Sequence, residues 1–126
     1  MSDKIKVKIW GRELELGVTY DSYSGEEILD SKKDAVKAFV NATTNVEKSL
    51  ELVKKYCLTE NSSDIGASTI DNIFKFVAPK YLYVVRDEKK HIVSIMCNYK
   101  FDMENGIAVV FENEQFSKIG KQDIIL

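Results

Sequence analysis

The chain is poor in the residues that most often carry chemistry or covalent staples. Its 126 residues include two cysteines, one histidine, one tryptophan and one proline. Cys57 and Cys97 form no CxxC or Cys/His spacing, so neither a disulfide framework nor a zinc site is indicated. His91 has no carboxylate partner in sight and reads as a surface residue, not a general base. GxGxxG, P-loop, HExxH and EF-hand patterns are all missing. No run approaches the roughly 18 apolar residues of a membrane span. Met1–Lys8 lacks the apolar stretch of a signal peptide. The expected compartment is the reducing cytoplasm, with both cysteines as free, buried thiols. Neither sign of charge dominates: 18 Lys and Arg stand against 20 Asp and Glu, giving a net charge of −2 and a pI near 5.5. That balance argues against direct nucleic-acid binding and leaves a basic partner open.

What is present suits one soluble domain covering residues 1–126. Hydrophobic residues make up 44% and charged residues 30%, ordinary values for a globular protein. A chain of this length buries enough apolar surface to fold without a metal or a disulfide. No repeat, linker or low-complexity segment interrupts it.

The N-terminal stretch alternates cleanly. Ile5, Val7 and Ile9 alternate with Lys4, Lys6 and Lys8; Leu14, Leu16 and Val18 alternate with Glu13, Glu15 and Gly17. Gly11-Arg12 between them suits a type II′ turn. That hairpin sets Ile9 opposite Leu14, Val7 opposite Leu16 and Ile5 opposite Val18, with Lys8 meeting Glu15 on the other face. Asp21 to Asp30 is polar, contains Gly25 and reads as a loop.

Three helices are predicted next. Ser31 caps the first, whose apolar face is Ala35, Val36, Phe39 and Val40. Asn41 to Thr43 break it. Thr44, with Glu47 three residues on, forms a capping box for the second, whose buried stripe is Val46, Leu50, Val53 and Cys57. Asn61 to Asp64 is a loop. Ser68 caps a short third helix with Ile70, Ile73, Phe74 and Val77 on one face, and Pro79 forbids its continuation.

The organising element is the stretch from Tyr81 onward. Apolar, β-branched runs separated by polar clusters read as a meander of three or four strands. A two-residue turn at Glu88-Lys89 pairs Val84 with Val93 and Leu82 with Ile95; Cys97 and Tyr99 continue that face, and Ile107, Val109 and Phe111 form the next strand. A tight turn at Asn113-Glu114 would set Lys118 opposite Val109, so a longer loop is expected there. Strand runs and helix runs are segregated. The expected fold is therefore α+β: an antiparallel sheet built from a hairpin and a meander, with three helices packed on one face.

No catalytic group, metal or cofactor is expected. Candidate partner-binding residues fall in three places. Asp21, Glu26, Glu27 and Asp30 surround Tyr23 in the acidic loop, where carboxylates steer encounter with a basic partner and tyrosine anchors it. Asp102 and Glu104 share a turn. Trp10 sits at the hairpin tip, off the expected core face, as a candidate interface anchor.

The stretch Cys97-Asn-Tyr-Lys-Phe-Asp-Met-Glu-Asn-Gly-Ile-Ala-Val-Val-Phe111, continued by Ile119-Gly-Lys-Gln-Asp-Ile-Ile-Leu126, resembles a family of small bacterial α+β domains associated with toxin–immunity loci, including contact-dependent growth inhibition. The shared features are a strand, an acidic turn ending in Glu-x-Gly, a second strand and a terminal Gly-x-x-Asp; the Tyr-Asp-x-Tyr-x-Gly-Glu loop from Tyr20 is similar too. The resemblance implies a cytoplasmic immunity protein, a monomer or weak homodimer, that binds a cognate toxin domain and performs no reaction. It implies that Gly106 meets a backbone requirement. Two alternatives stand beside it. One is a binding or regulatory module with another partner. The other is a small-ligand binder whose site would need Asp21, Glu26, Asp102 and Glu104 to converge.

Overall fold

The structure, a computed structural model, describes residues 3–20, 30–85 and 90–125. Two strands, β1 (Asp3–Ile9) and β2 (Arg12–Tyr20), are followed by two helices, α1 (Asp30–Asn41) and α2 (Thr43–Ile65). A 3-10 turn at Ile73–Lys75 leads into β3 (Val77–Val84), β4 (Ile92–Tyr99), β5 (Ile107–Glu112) and β6 (Gln115–Gly120), and a second 3-10 turn at Gln122–Ile124 follows. The six strands form one sheet in sequence order, β1 to β6. The fold is α+β, with a mostly antiparallel sheet and two helices.

Several expectations need correction. The sheet is mixed: β2 and β3 run parallel, pairing Gly17 with Tyr81 through Tyr20 with Val84. The two helices form the crossover that parallel neighbours require. The expected third helix shrinks to the turn at Ile73–Lys75, because Asn72 is extended and its side chain accepts from the Phe74 N–H at 3.1 Å. Val77 then joins the sheet opposite Tyr99. Pro79 lies within β3, at a register shift before Tyr81 and outside the part paired with β2, where its missing N–H is tolerated.

Helix α2 runs through the expected loop to Ile65, with a kink at Asn61 (φ −135°, ψ 36°). Its N-cap is Ala42, without a side-chain cap, so Thr44 and Glu47 form no capping box. Glu47 instead accepts the Gly11 N–H at 2.9 Å.

The β1–β2 hairpin keeps its expected faces but not its register. Ile9 pairs with Arg12, Val7 with Leu14 and Ile5 with Leu16; Lys8 meets Glu13 and Lys6 meets Glu15. The turn is Trp10-Gly11, both with positive φ (50° and 83°), as a type I′ turn demands. A shift of two residues leaves every apolar side chain on its face, so alternation could not distinguish the two registers. The β3–β4 pairing is as expected: Val84 faces Val93 and Leu82 faces Ile95. The β5–β6 turn at Asn113-Glu114 is tight (φ 48° and 66°), not a longer loop. A bulge after it sets Phe116 opposite Phe111, Lys118 opposite Val110 and Ile119 opposite Val109, which resolves the Lys118 conflict.

The main core lies between the helices and one sheet face. Phe39, Val46, Val53 and Cys57 pack there with Val18, Leu82, Ile95 and Phe111. β4 and β5 are buried on both faces, since Met96, Ala108 and Val110 form a second cluster with Tyr81, Tyr83, Ile92 and Ile125. Their near-continuous apolar runs carry that signal.

Both outer hairpins are fastened to the start of α2. The Glu47–Gly11 bond holds one tip, and Asn45 Nδ2 donates to the Glu114 carbonyl at 2.8 Å to hold the other. In a flat sheet these hairpins would stand roughly 19 Å apart across the strands, at about 4.8 Å per strand, with their tips at opposite strand ends. Residues two apart on one helix hold both, so the sheet curls around α2.

Candidate partner-binding turn

The connection between β4 and β5, residues 100–106, is built to keep one shape. The Asp102 carboxylate accepts the Asn105 N–H at 3.2 Å, and its two oxygens accept from Asn105 Nδ2 at 3.1 and 3.0 Å. This is an Asx-type turn, a role short acidic side chains commonly fill. The Gly106 N–H donates to the Asp102 carbonyl at 2.9 Å and the Asp102 N–H to the Tyr99 carbonyl at 3.1 Å. Gly106 has φ +60°, and a Cβ there would lie 2.5 Å from the Cys97 carbonyl oxygen and 2.6 Å from Gln122 Nε2. Only glycine fits, as expected from the sequence.

Gln122 straps the turn from the C-terminal side. Its Nε2 donates to the Cys97 carbonyl at 3.0 Å, and its backbone N–H to the Asn105 carbonyl at 3.1 Å. Phe101 stacks on Phe76 at 5.4 Å and meets Tyr99 edge-on at 5.6 Å. At the tip, Met103 is 64% exposed. Glu104 beside it is also exposed.

Next to the turn is a cleft of about 210 Å³ whose lining includes Tyr56, Glu60, Asn61, Tyr99, Asp102 and Lys121. The Tyr99 hydroxyl donates to Asn61 Oδ1 at 2.7 Å, at the kink of α2. Asn61 Nδ2 donates in turn to Asp64 Oδ2 at 2.9 Å. Burial pushes the Tyr99 phenol well above its ordinary range, and the adjoining Cys57 thiol adds to the shift. Burial also raises the Cys57 and Cys97 thiols, and with Glu60 it raises the Tyr56 phenol. All four groups are therefore held neutral near pH 7, the opposite of an activated nucleophile.

The other candidates fall in separate places. Asp21, Tyr23, Glu26 and Glu27 lie outside the described residues. Asp30 is the first residue of α1, and its side chain is likewise outside the described set. Asp102 and Glu104 share the turn, but Glu104 does not line the cleft and Asp102 spends its carboxylate on Asn105. These two do not converge as a small-ligand site requires.

Trp10 is a correction. It is buried, 5% exposed; its Nε1–H donates to Ser49 Oγ at 3.1 Å and its ring lies 6.0 Å from Phe74. As a turn residue with positive φ it escapes the strand alternation that placed it off the core.

His91 is another correction: its Nδ1 lies 3.1 Å from Glu114 Oε2, and its backbone pairs with Asn113 across the β5–β6 turn. Met103, Tyr99 and Asn61 were not among the site candidates read from the sequence. An apolar tip inside Phe-Asp-Met-Glu-Asn-Gly was the one available signal. Cys57 and Cys97 are free and buried, as expected.

Among the described residues no group of three or more metal-ligating side chains gathers, and no helix is long and apolar enough to cross a membrane.

A family model described as a domain of unknown function, DUF6985, matches residues 1–126. The chain belongs to the DUF6985 family. No curated protein and no solved structure matches it. The match spans the whole chain, so the six-stranded sheet, both helices and the Met103 turn all lie within this DUF6985 domain.

Proposed function

We propose that this DUF6985 domain is a non-catalytic binding protein, and that its partner is a cognate toxin domain which it neutralises as a cytoplasmic immunity protein. The observation that carries the binding reading is the Met103 turn. A 64% exposed methionine flanked by acidic residues stands on a loop locked by Asp102, Gly106 and Gln122. An exposed apolar side chain on a rigid, polar-rimmed support binds at little entropic cost. The toxin as partner comes from the resemblance of Cys97–Phe111 and the terminal Gly120-Lys-Gln-Asp123 to immunity-locus domains. The acidic stretch Asp21–Asp30 would add steering toward a basic toxin.

The test is co-expression with the toxin encoded by the neighbouring gene. Cells should survive and the two proteins should co-purify. Met103→Asp should weaken the complex while leaving the thermal melt unchanged. Neither rescue nor co-purification with the wild-type protein would overturn the toxin reading.

A further inference from the structure

A second groove, about 270 Å³, borders the same turn. Phe74 and Phe76 line it, half-buried, together with the exposed Lys75, Lys80, Lys100 and Met103. No carboxylate is among its lining residues. Among the described residues, Lys75, Lys80 and Lys100 enter no ion pair. Three ammonium groups without an ion-pair partner around one concavity favour a local positive potential, on a chain whose net charge is −2.

The aromatic rings decide which anion fits. The Arg12 guanidinium sits 4.2 Å from the Phe74 ring centroid, and the Trp10 ring lies 6.0 Å from Phe74 at a tilt of 46°. Lys100 Nζ lies 5.8 Å from the Phe76 centroid and 5.9 Å from that of Phe101, and those two rings stack on each other. Phe74 and Phe76 thus each already have a cation over the ring, and Phe76 stacks on Phe101 as well. Single-stranded nucleic acid needs free faces on which to stack its bases. Carboxylates need only the ammonium groups, and Met103 offers a place for one apolar side chain.

We infer that this groove docks an acidic segment of a partner polypeptide, with carboxylates on Lys75, Lys80 and Lys100 and an apolar residue on Met103. The inference rests on the reading of the chain as a protein-binding module and names the chemistry of what it holds; it does not require the partner to be a toxin.

The test is fluorescence anisotropy with a fluorescein-labelled, glutamate-rich peptide carrying one central leucine, against oligothymidylate of matched length. The peptide should bind saturably and more weakly as salt rises. Lys80→Glu with Lys100→Glu should cost roughly tenfold or more in affinity, with the far-UV spectrum and thermal melt unchanged. Absence of saturable peptide binding, indifference to the charge reversal, or tighter binding of oligothymidylate would each overturn it. If the toxin is neutralised equally well by the charge-reversed protein and the peptide does not bind, this inference fails while the proposed function stands. If the peptide binds in a lysine-dependent way and no toxin is found, the groove assignment stands and the immunity reading fails.

Discussion

The Trp10 indole N–H donates to the Ser49 hydroxyl at 3.1 Å, inside the core and across 39 positions of sequence. Ser49, itself fully buried, donates its hydroxyl hydrogen bond to the Val46 carbonyl within α2. The hairpin tip and the helix thus share one small polar chain with every member satisfied.

Breaking that chain should be costly. Ser49→Ala leaves the indole N–H buried without an acceptor and should destabilise by about 1–3 kcal/mol. Trp10→Ala should cost about 3–5 kcal/mol, because an aromatic ring is lost from a packed site. Urea unfolding of the variants measures both. Trp10 is the one tryptophan in the chain, so its fluorescence should shift to the red in the same transition that far-UV circular dichroism records. A Ser49→Ala midpoint equal to wild type would show that the bond contributes nothing.

Two glycines with similar φ should respond differently to alanine. Gly66 (φ +71°) ends α2, and a Cβ added there would meet nothing within 4 Å, so Gly66→Ala should cost only about 1 kcal/mol of backbone strain. Gly106→Ala meets that strain and the Cys97 carbonyl besides, and should cost at least about twice as much. Equal effects in thermal melts would mean that the strand end yields easily.

Alkali should weaken the fold. The pKa values of Cys57, Cys97 and Tyr99 are raised by burial above their unfolded values. A group with a raised folded pKa stabilises fully below its unfolded pKa, and that stability is lost as pH climbs above it. The decline should therefore begin near the ordinary thiol value of about 8.5 and steepen past the ordinary tyrosine value of about 10. Urea midpoints from about pH 7 to about pH 11 would trace it; a flat profile would contradict the burial of these groups. At neutral pH both thiols should resist a thiol reagent until the core opens.

The Asp102 carboxylate should matter for shape more than for charge. Asp102→Ala removes the acceptors for Asn105 and should cost about 1 kcal/mol. Amide exchange at Asn105 and Gly106 should quicken, while that of β4 stays slow. Unchanged exchange at the turn would show that Gly106 and Gln122 hold it without Asp102.

Side-chain alternation was enough to locate β1, β2 and the faces they present, since period-two patterning belongs to the strand itself. The pairing of Val84 with Val93 was legible from the two-residue turn expected at Glu88-Lys89, positions that lie outside the described residues, and the need for glycine at position 106 could be read from its acidic turn. The register of the first hairpin was not. Lys4, Lys6 and Lys8 face Glu13 and Glu15 equally well after a two-residue slide, and the choice fell to Trp10, which leaves the strand pattern at positive φ to reach Ser49. Nor could local pattern reveal that β2 lies parallel to β3, that β4 and β5 are covered on both sides, or that Met103 stands between a polar cleft and a lysine-rimmed groove. Those outcomes depend on which distant surfaces meet once α2 binds both hairpin tips through Asn45 and Glu47. Local sequence sets how each element is patterned; the packing of one face of α2 against the sheet selects how the elements are joined.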